Sequence, residues 1–350
     1  MSLSTTAVPP VAPAQPTRPP RTGPGWIRIF AGGLALWLAT VLVTFATHNA
    51  NLVPTIILVG SFLVPVTFVA YAFRRANAVV TPQRIFGAFV YGGVLGVLGA
   101  SLLETALLAH LSALAYVAIG LIEEAVKLAV LWLLARRLPY YTMRDGMVLG
   151  AAVGFGFAAF ETAGYAFNAL FTQSGLSLLN LVETEALRAV LTPVGHGLWT
   201  AILGGALFAT AARTRSGRPR LRWALVGWYA VVALLHAFWD GSQSIAVWLT
   251  LYLTGTPTQW AMARLGEVPG VTQPQVDLFT VLSWTMLAVD GLVGLLLLTL
   301  RWRRMRAAAA HRYRAWPGPA LSLGERELMH DRPSLSRHDV HGAGGRLIGD

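Results

Sequence analysis

"YVAIGLIEEAVKLAVLWLL", residues 116–134, is almost wholly apolar. Wound as a helix at ~1.5 Å per residue it reaches about 28 Å, close to the ~30 Å of a bilayer's hydrocarbon core. Yet Glu123 and Glu124 stand side by side near its middle, with Lys127 just beyond. An ionisable side chain there costs at least ~2.5–3.5 kcal/mol on insertion scales, so it faces the bundle interior and has a partner or a function. Adjacent helical residues diverge by ~100°. The expectation is that one glutamate pairs with Lys127, in the favourable acid-first i,i+4 order, and the other is left for a different neighbour.

The same apolar texture repeats along the chain. Of 350 residues, 55% are hydrophobic and 12% charged, where a soluble domain carries roughly a quarter charged. Eight blocks are long enough to span: 26–47, 52–73, 85–109, 113–134, 146–171, 187–211, 222–243 and 278–300. The fold class is an all-α polytopic transmembrane bundle of about eight spans. The short run "IAVWLTLYL", 245–253, cannot cross alone; it either extends the seventh span or lies in the interface. Cysteine is absent, which excludes a thiol nucleophile, a disulfide framework and a thiolate metal site.

The net charge of +11 does not point to nucleic acid, because the arginines sit in alternate loops. Arg18 and Arg21 precede span 1; Arg74, Arg75 and Arg84 follow span 2; Arg136, Arg137 and Arg144 follow span 4. Arg213, Arg215, Arg218, Arg220 and Arg222 follow span 6, and "RWRRMR" follows span 8. The other loops hold Arg264 alone. The positive-inside rule then puts both termini in the cytoplasm. Residues 1–25, rich in proline and small polar residues, and 301–350, polar and charged, read as disordered tails around a transmembrane domain at 26–300. His338 and His341 in "HDVH" are a weak metal pattern in such a tail, and His110 reads as interfacial. Gly92, Gly96 and Ala100, and likewise Gly146, Gly150 and Gly154, form small-residue stripes that let helices approach closely.

The ionisable residues inside the spans carry the chemistry. Span 5 holds Glu161 within "FETAGY", span 6 His196 within "TPVGHGLWT", and span 7 His236 and Asp240 within "LLHAFWDGS". Counted at ~1.5 Å per residue, all lie roughly 5–17 Å below the outer end of their helices, level with Glu123 and Glu124. His236 and Asp240 share a helix face. Pro193 is expected to kink span 6 just before His196. Phe157, Glu161 and Tyr165 share a face of span 5. Glu104 and Asp290 are read as structural. Two histidines with carboxylates suit Zn²⁺, with a further glutamate as base on the bound water. A metal-free mechanism, with the glutamate activating water and the histidines stabilising an oxyanion, fits the same residues. Both amount to hydrolysis inside the membrane.

Glu-Glu-x-x-Lys, a glycine-rich helix with "FETAGY", a mid-helix His and His-x-x-x-Asp, in that order, resemble the PrsW family of intramembrane metalloproteases over roughly 85–245. That family is distantly similar to the CAAX prenyl endopeptidases. Phe157 and Glu161 fall on the second CAAX motif with Glu in place of His, which argues against prenyl-protein processing. The resemblance implies that Glu123 and Glu124 are the catalytic pair and that His196, His236, Asp240 and Glu161 are metal-site residues. It also implies a membrane-protein substrate, an anti-sigma factor among the candidates, and a multi-pass protein of a bacterial inner membrane. A proton-coupled transporter using the Glu/His cluster as a relay is the alternative, and a non-catalytic scaffold a third. Carriers often show internal repeats with paired broken helices; no second copy of the Glu-Glu or His-x-x-x-Asp helix is present. Oligomeric state is not readable from these patterns.

Overall fold

The computed structural model describes residues 25–108, 114–173, 175–211, 214 and 217–314. Most of both expected tails, the His338/His341 pattern, His110, Arg213 and Arg215 lie outside them. The chain divides into two compact units, Met1–Arg301 and Trp302–Asp350.

The chain is an all-α polytopic helix bundle. The helices are α1 Gly25–Thr47, α2 Val53–Phe73, α3 Pro82–Leu107, α4 Ala115–Ala135, α5 Met143–Leu170, α6 Leu178–Leu191, α7 His196–Ala211, α8 Trp223–Thr254, α9 Pro257–Ala263 and α10 Gln273–Arg314. A two-residue hairpin, β1 Phe171–Thr172 with β2 Gly175–Leu176, reverses the chain after α5. Among the described residues seven helices or helix pairs are long and apolar enough to cross a membrane, α6 and α7 counting as one. The block expected as span 4 is α4, also long enough at 21 residues, but its charges Glu123, Glu124 and Lys127 set it apart in composition.

Two boundaries differ from the sequence expectation, each for a local reason, and the break expected at Pro193 is present. The run 245–253 extends span 7 as one continuous α8. The sixth span starts earlier, at Leu178, because the hairpin turns the chain at once and the Ser177 side chain caps the new helix by accepting from Asn180 N. That places Glu183 and Glu185 on a helix rather than in a loop. Pro193 interrupts the span: Thr192–Val194 is a 3-10 turn, and α7 restarts at His196. Proline has no N–H to continue the ladder and its ring crowds the preceding turn.

α5 is the central helix, packed along α3 on one side and α7 on another. Its start is capped by Thr142, whose Oγ1 accepts from Asp145 N at 3.1 Å. The glycine stripe explains the tight α5–α7 contact. A Cβ on Gly150 would meet the carbonyl of Thr200, and one on Gly154 the carbonyl of His196. Gly92 and Gly96 of α3 likewise meet Val153 and Phe157 of α5. The backbone of His196 is thus held directly against α5.

Gly154→Ala is expected to cost about 1–3 kcal/mol through overpacking, because the nearest group is the His196 backbone carbonyl, with the Thr200 hydroxyl beside it. A chemical unfolding titration of the purified variant in detergent checks this. An unchanged midpoint would show that α7 can move away from α5 freely.

Candidate active site

Four helices deliver the predicted polar residues to one place. α4 carries Glu123, Glu124 and Lys127, all buried. α5 carries Glu161, the start of α7 carries His196, and α8 carries His236 and Asp240. The six predicted site residues form one linked cluster with Lys127 and Arg188.

Lys127 is its hub. Its Nζ lies 2.6 Å from Glu124 Oε1, 3.3 Å from Glu123 Oε2 and 2.9 Å from His196 Nδ1, and 4.2 Å from the centre of the Phe157 ring. An ammonium has three donors and no acceptor, so these three partners use it fully. The expectation that Lys127 would serve only one glutamate is therefore corrected. Around the helix axis Lys127 projects ~40° from Glu123 and ~60° from Glu124, between the two. The 100° that separates the acids lets one cation reach both.

The same bonds set the imidazoles. Because an ammonium only donates, His196 Nδ1 accepts from Lys127 and its ring proton is on Nε2, which donates to Glu161 Oε2 at 2.9 Å. His236 Nδ1 donates to Glu124 Oε1 at 3.1 Å. Its Nε2 faces Glu123 Oε2 at 3.6 Å and Asp240 Oδ2 at 3.4 Å. The two imidazole rings meet edge-on, 5.0 Å between centres, and Trp199 packs against both.

Arg188 of α6 pairs with Glu161, donates through Nε to Thr162 Oγ1 at 2.9 Å and lies over the Tyr165 ring. The sequence reading missed it, though an arginine just inside an assigned span was a readable signal. Phe157 and Tyr165, one turn to either side of Glu161, each face a cation. A cavity of about 60 Å³ opens beside Glu161, Arg188, His196, Trp239 and Asp240. That is well above the ~10–15 Å³ that a single water needs.

Glu123, His196 and His236 each offer a ligand atom, all within 4.8 Å of one another. They form the metal-competent group among the described residues. Glu161 and Asp240, expected as ligands, stand outside it: Glu161 is engaged by Arg188 and His196, and Asp240 borders His236 with a partly exposed carboxylate. The charge of the cluster fits a divalent cation. Four carboxylates face two fixed cations, a formal −2 with all ionised and both imidazoles neutral. One further acceptor is left over, since Glu124 Oε2 is buried without a hydrogen-bond partner.

The family model "PrsW family intramembrane metalloprotease" matches residues 81–263, over half of the chain and containing all of these residues. No curated protein and no solved structure matches the chain.

Removing the hub should be costly. Lys127→Met leaves two adjacent buried carboxylates without their cation, and a loss of about 3–5 kcal/mol is expected. Adding Glu124→Gln should restore part of it, as read by unfolding titrations of the single and double variants. A double variant no more stable than Lys127→Met would refute the shared-cation reading.

Proposed function

The chain belongs to the PrsW family of intramembrane metalloproteases, and from that premise we propose that it cleaves a membrane-embedded protein at the Glu123/Glu124/His196/His236 cluster. The observation that carries the reading is the group Glu123, His196 and His236, drawn from three helices to within 4.8 Å, in a set of charges that lacks two positive ones.

In this proposal those three residues hold the metal, with Zn²⁺ the ion that two imidazoles and a carboxylate suit best. When bound, the ion supplies Lewis acidity to a peptide carbonyl and to water. The protein supplies the rest. Glu124 Oε1 holds the His236 Nδ1 proton and so turns Nε2 toward Glu123. Glu161, itself held by Arg188, fixes His196 in the same way from the other side. Such carboxylate partners orient ligand imidazoles and raise their basicity. Glu124 Oε2 is the free acceptor for a water proton, and Lys127 beside it can stabilise negative charge developing on the substrate. The 60 Å³ cavity admits water beside His196 and Asp240. Glu123 and Glu124 thus divide the work, Glu123 holding the ion and Glu124 taking the proton.

The arginine-rich loops support a cell-membrane protein with both termini in the cytoplasm. That orientation sets the cluster in the outer-to-middle layer. A single-span anti-sigma factor is the first substrate class to test, as the family resemblance suggests.

The test combines metal analysis of the purified protein with cleavage of a co-expressed single-span membrane protein. Glu124→Gln is expected to keep its metal and lose cleavage by about 10²–10⁴-fold, the range for a general base. His196→Ala and His236→Ala should lose both. Cleavage that survives in Glu124→Gln would reject the base assignment. Proton flux into vesicles without any proteolysis would favour the transporter.

A further inference from the structure

A much larger space lies away from the site. Between α1, α2 and α6 is a cavity of about 550 Å³, within the size range of ligand sites. Its walls are apolar: Phe30 and Leu34 from α1, Leu63 and Val64 from α2, Ala189 and Val190 from α6. It runs from Trp26 to Trp37 along α1, eleven residues or ~16 Å.

The two ends differ. At the Trp37 end sits Glu185, 1% exposed. Its carboxylate accepts from Trp37 Nε1 at 2.8 Å and from Ser61 Oγ at 3.1 Å, so both oxygens are used. At the other end Trp26 meets the edge of Tyr71, 6.0 Å between ring centres. Arg75 lies over the Tyr71 ring at 4.8 Å and donates to its hydroxyl. Arg74 stands beside it, exposed, and Arg144 donates to the Arg75 carbonyl at 3.0 Å. The acid next to Arg144, Asp145, is turned inward, buried and bonded to Asn77 and Thr142. Arg74 and Arg75 directly follow the last residue of α2, where an apolar span gives way to the polar boundary.

Volume decides the occupant. The cavity holds about 550 Å³ over its ~16 Å length. A helix of that length, ~10–12 Å across with its side chains, fills more than ~1,200 Å³, so a partner's transmembrane helix does not fit inside it. A single hydrocarbon chain does. The Arg75 guanidinium, joined to the cavity's Trp26 end through Tyr71, is complementary to phosphate, which arginine binds with charge-assisted hydrogen bonds, and Arg74 adds a second exposed positive charge beside it in the chain.

We propose that this cavity binds an anionic phospholipid, one acyl chain lying between α1, α2 and α6 and the phosphate resting on Arg74 and Arg75. The chain packs along α6 from Pro193, the residue that breaks the helix before His196, toward Glu185 at the Trp37 end.

Native mass spectrometry of the full-length protein in detergent tests this, with phosphatidylglycerol, phosphatidylcholine of the same chains, and inorganic phosphate as probes. Phosphatidylglycerol should be retained over phosphatidylcholine. Arg74→Gln with Arg75→Gln should lower its affinity about 25-fold, near fivefold per arginine, and leave phosphatidylcholine unchanged. Val64→Trp, and independently Ala189→Phe from the opposite wall, should fill the slot and remove both lipids; unfolding titrations confirm that at least one variant is folded. Equal retention of the two lipids overturns the proposal, and so does retention insensitive to the arginines. Phosphatidylglycerol binding that survives in a folded cavity-filled variant, or is displaced by inorganic phosphate, also overturns it by showing a headgroup site on the surface.

Discussion

Lys127 Nζ is shared by Glu123, Glu124 and His196, and the interior of the bundle is organised around that ammonium. Two adjacent carboxylates at the middle of a membrane helix repel each other and are poorly solvated. A cation on the same helix, projecting between them, relieves both problems. It also fixes the His196 tautomer, and through the opposite ring nitrogen it links α4 to Glu161 of α5. Burying an isolated charge costs several kcal/mol, and a buried pair breaks even only with good geometry and further hydrogen bonds. Here the further bonds come from the imidazoles of His196 and His236 on other helices.

The scaffold brings those partners close by removing side chains elsewhere. Gly146, Gly150 and Gly154 let α7 lie backbone to backbone on α5, and the break at Pro193 starts α7 at His196. In the proposed mechanism the cluster binds a divalent ion because it carries more acid than fixed base. The imidazoles are held from behind by Glu124 and Glu161; His196 Nδ1 would exchange its hydrogen bond from Lys127 for the ion. Glu161 and Asp240 move in this reading from ligands to supports, which the bonds of Glu161 to Arg188 and His196 favour.

Much of this was legible in the chain. The spans, the small-residue stripes and the kink at Pro193 follow from local composition and covalent geometry. The common depth of Glu123, Glu124, Glu161, His196 and His236 follows from counting residues inward along each span. The shared position of Lys127 was also within reach, because i+3 and i+4 lie on either side of one helical turn. Arg188 was overlooked because it sits at the edge of an assigned span, where arginine is commonplace. Glu185 was hidden by the misplaced start of α6, which depended on how tightly the hairpin turned.

What the sequence determined by itself is the class of molecule and the cast of residues. Hydropathy at helical length demands a membrane bundle, since backbone groups in lipid must be satisfied within helices, and buried charge demands partners. Only the tertiary structure decided which partners. Glu123, rather than Glu161 or Asp240, stands with both histidines, and one ammonium serves both glutamates. These choices depend on distances of about 3 Å between residues up to 112 positions apart. Periodicity assigns a side chain to a face of its own helix. The rotation and offset of neighbouring helices, set here by glycine contacts and a proline break, decide what that face meets.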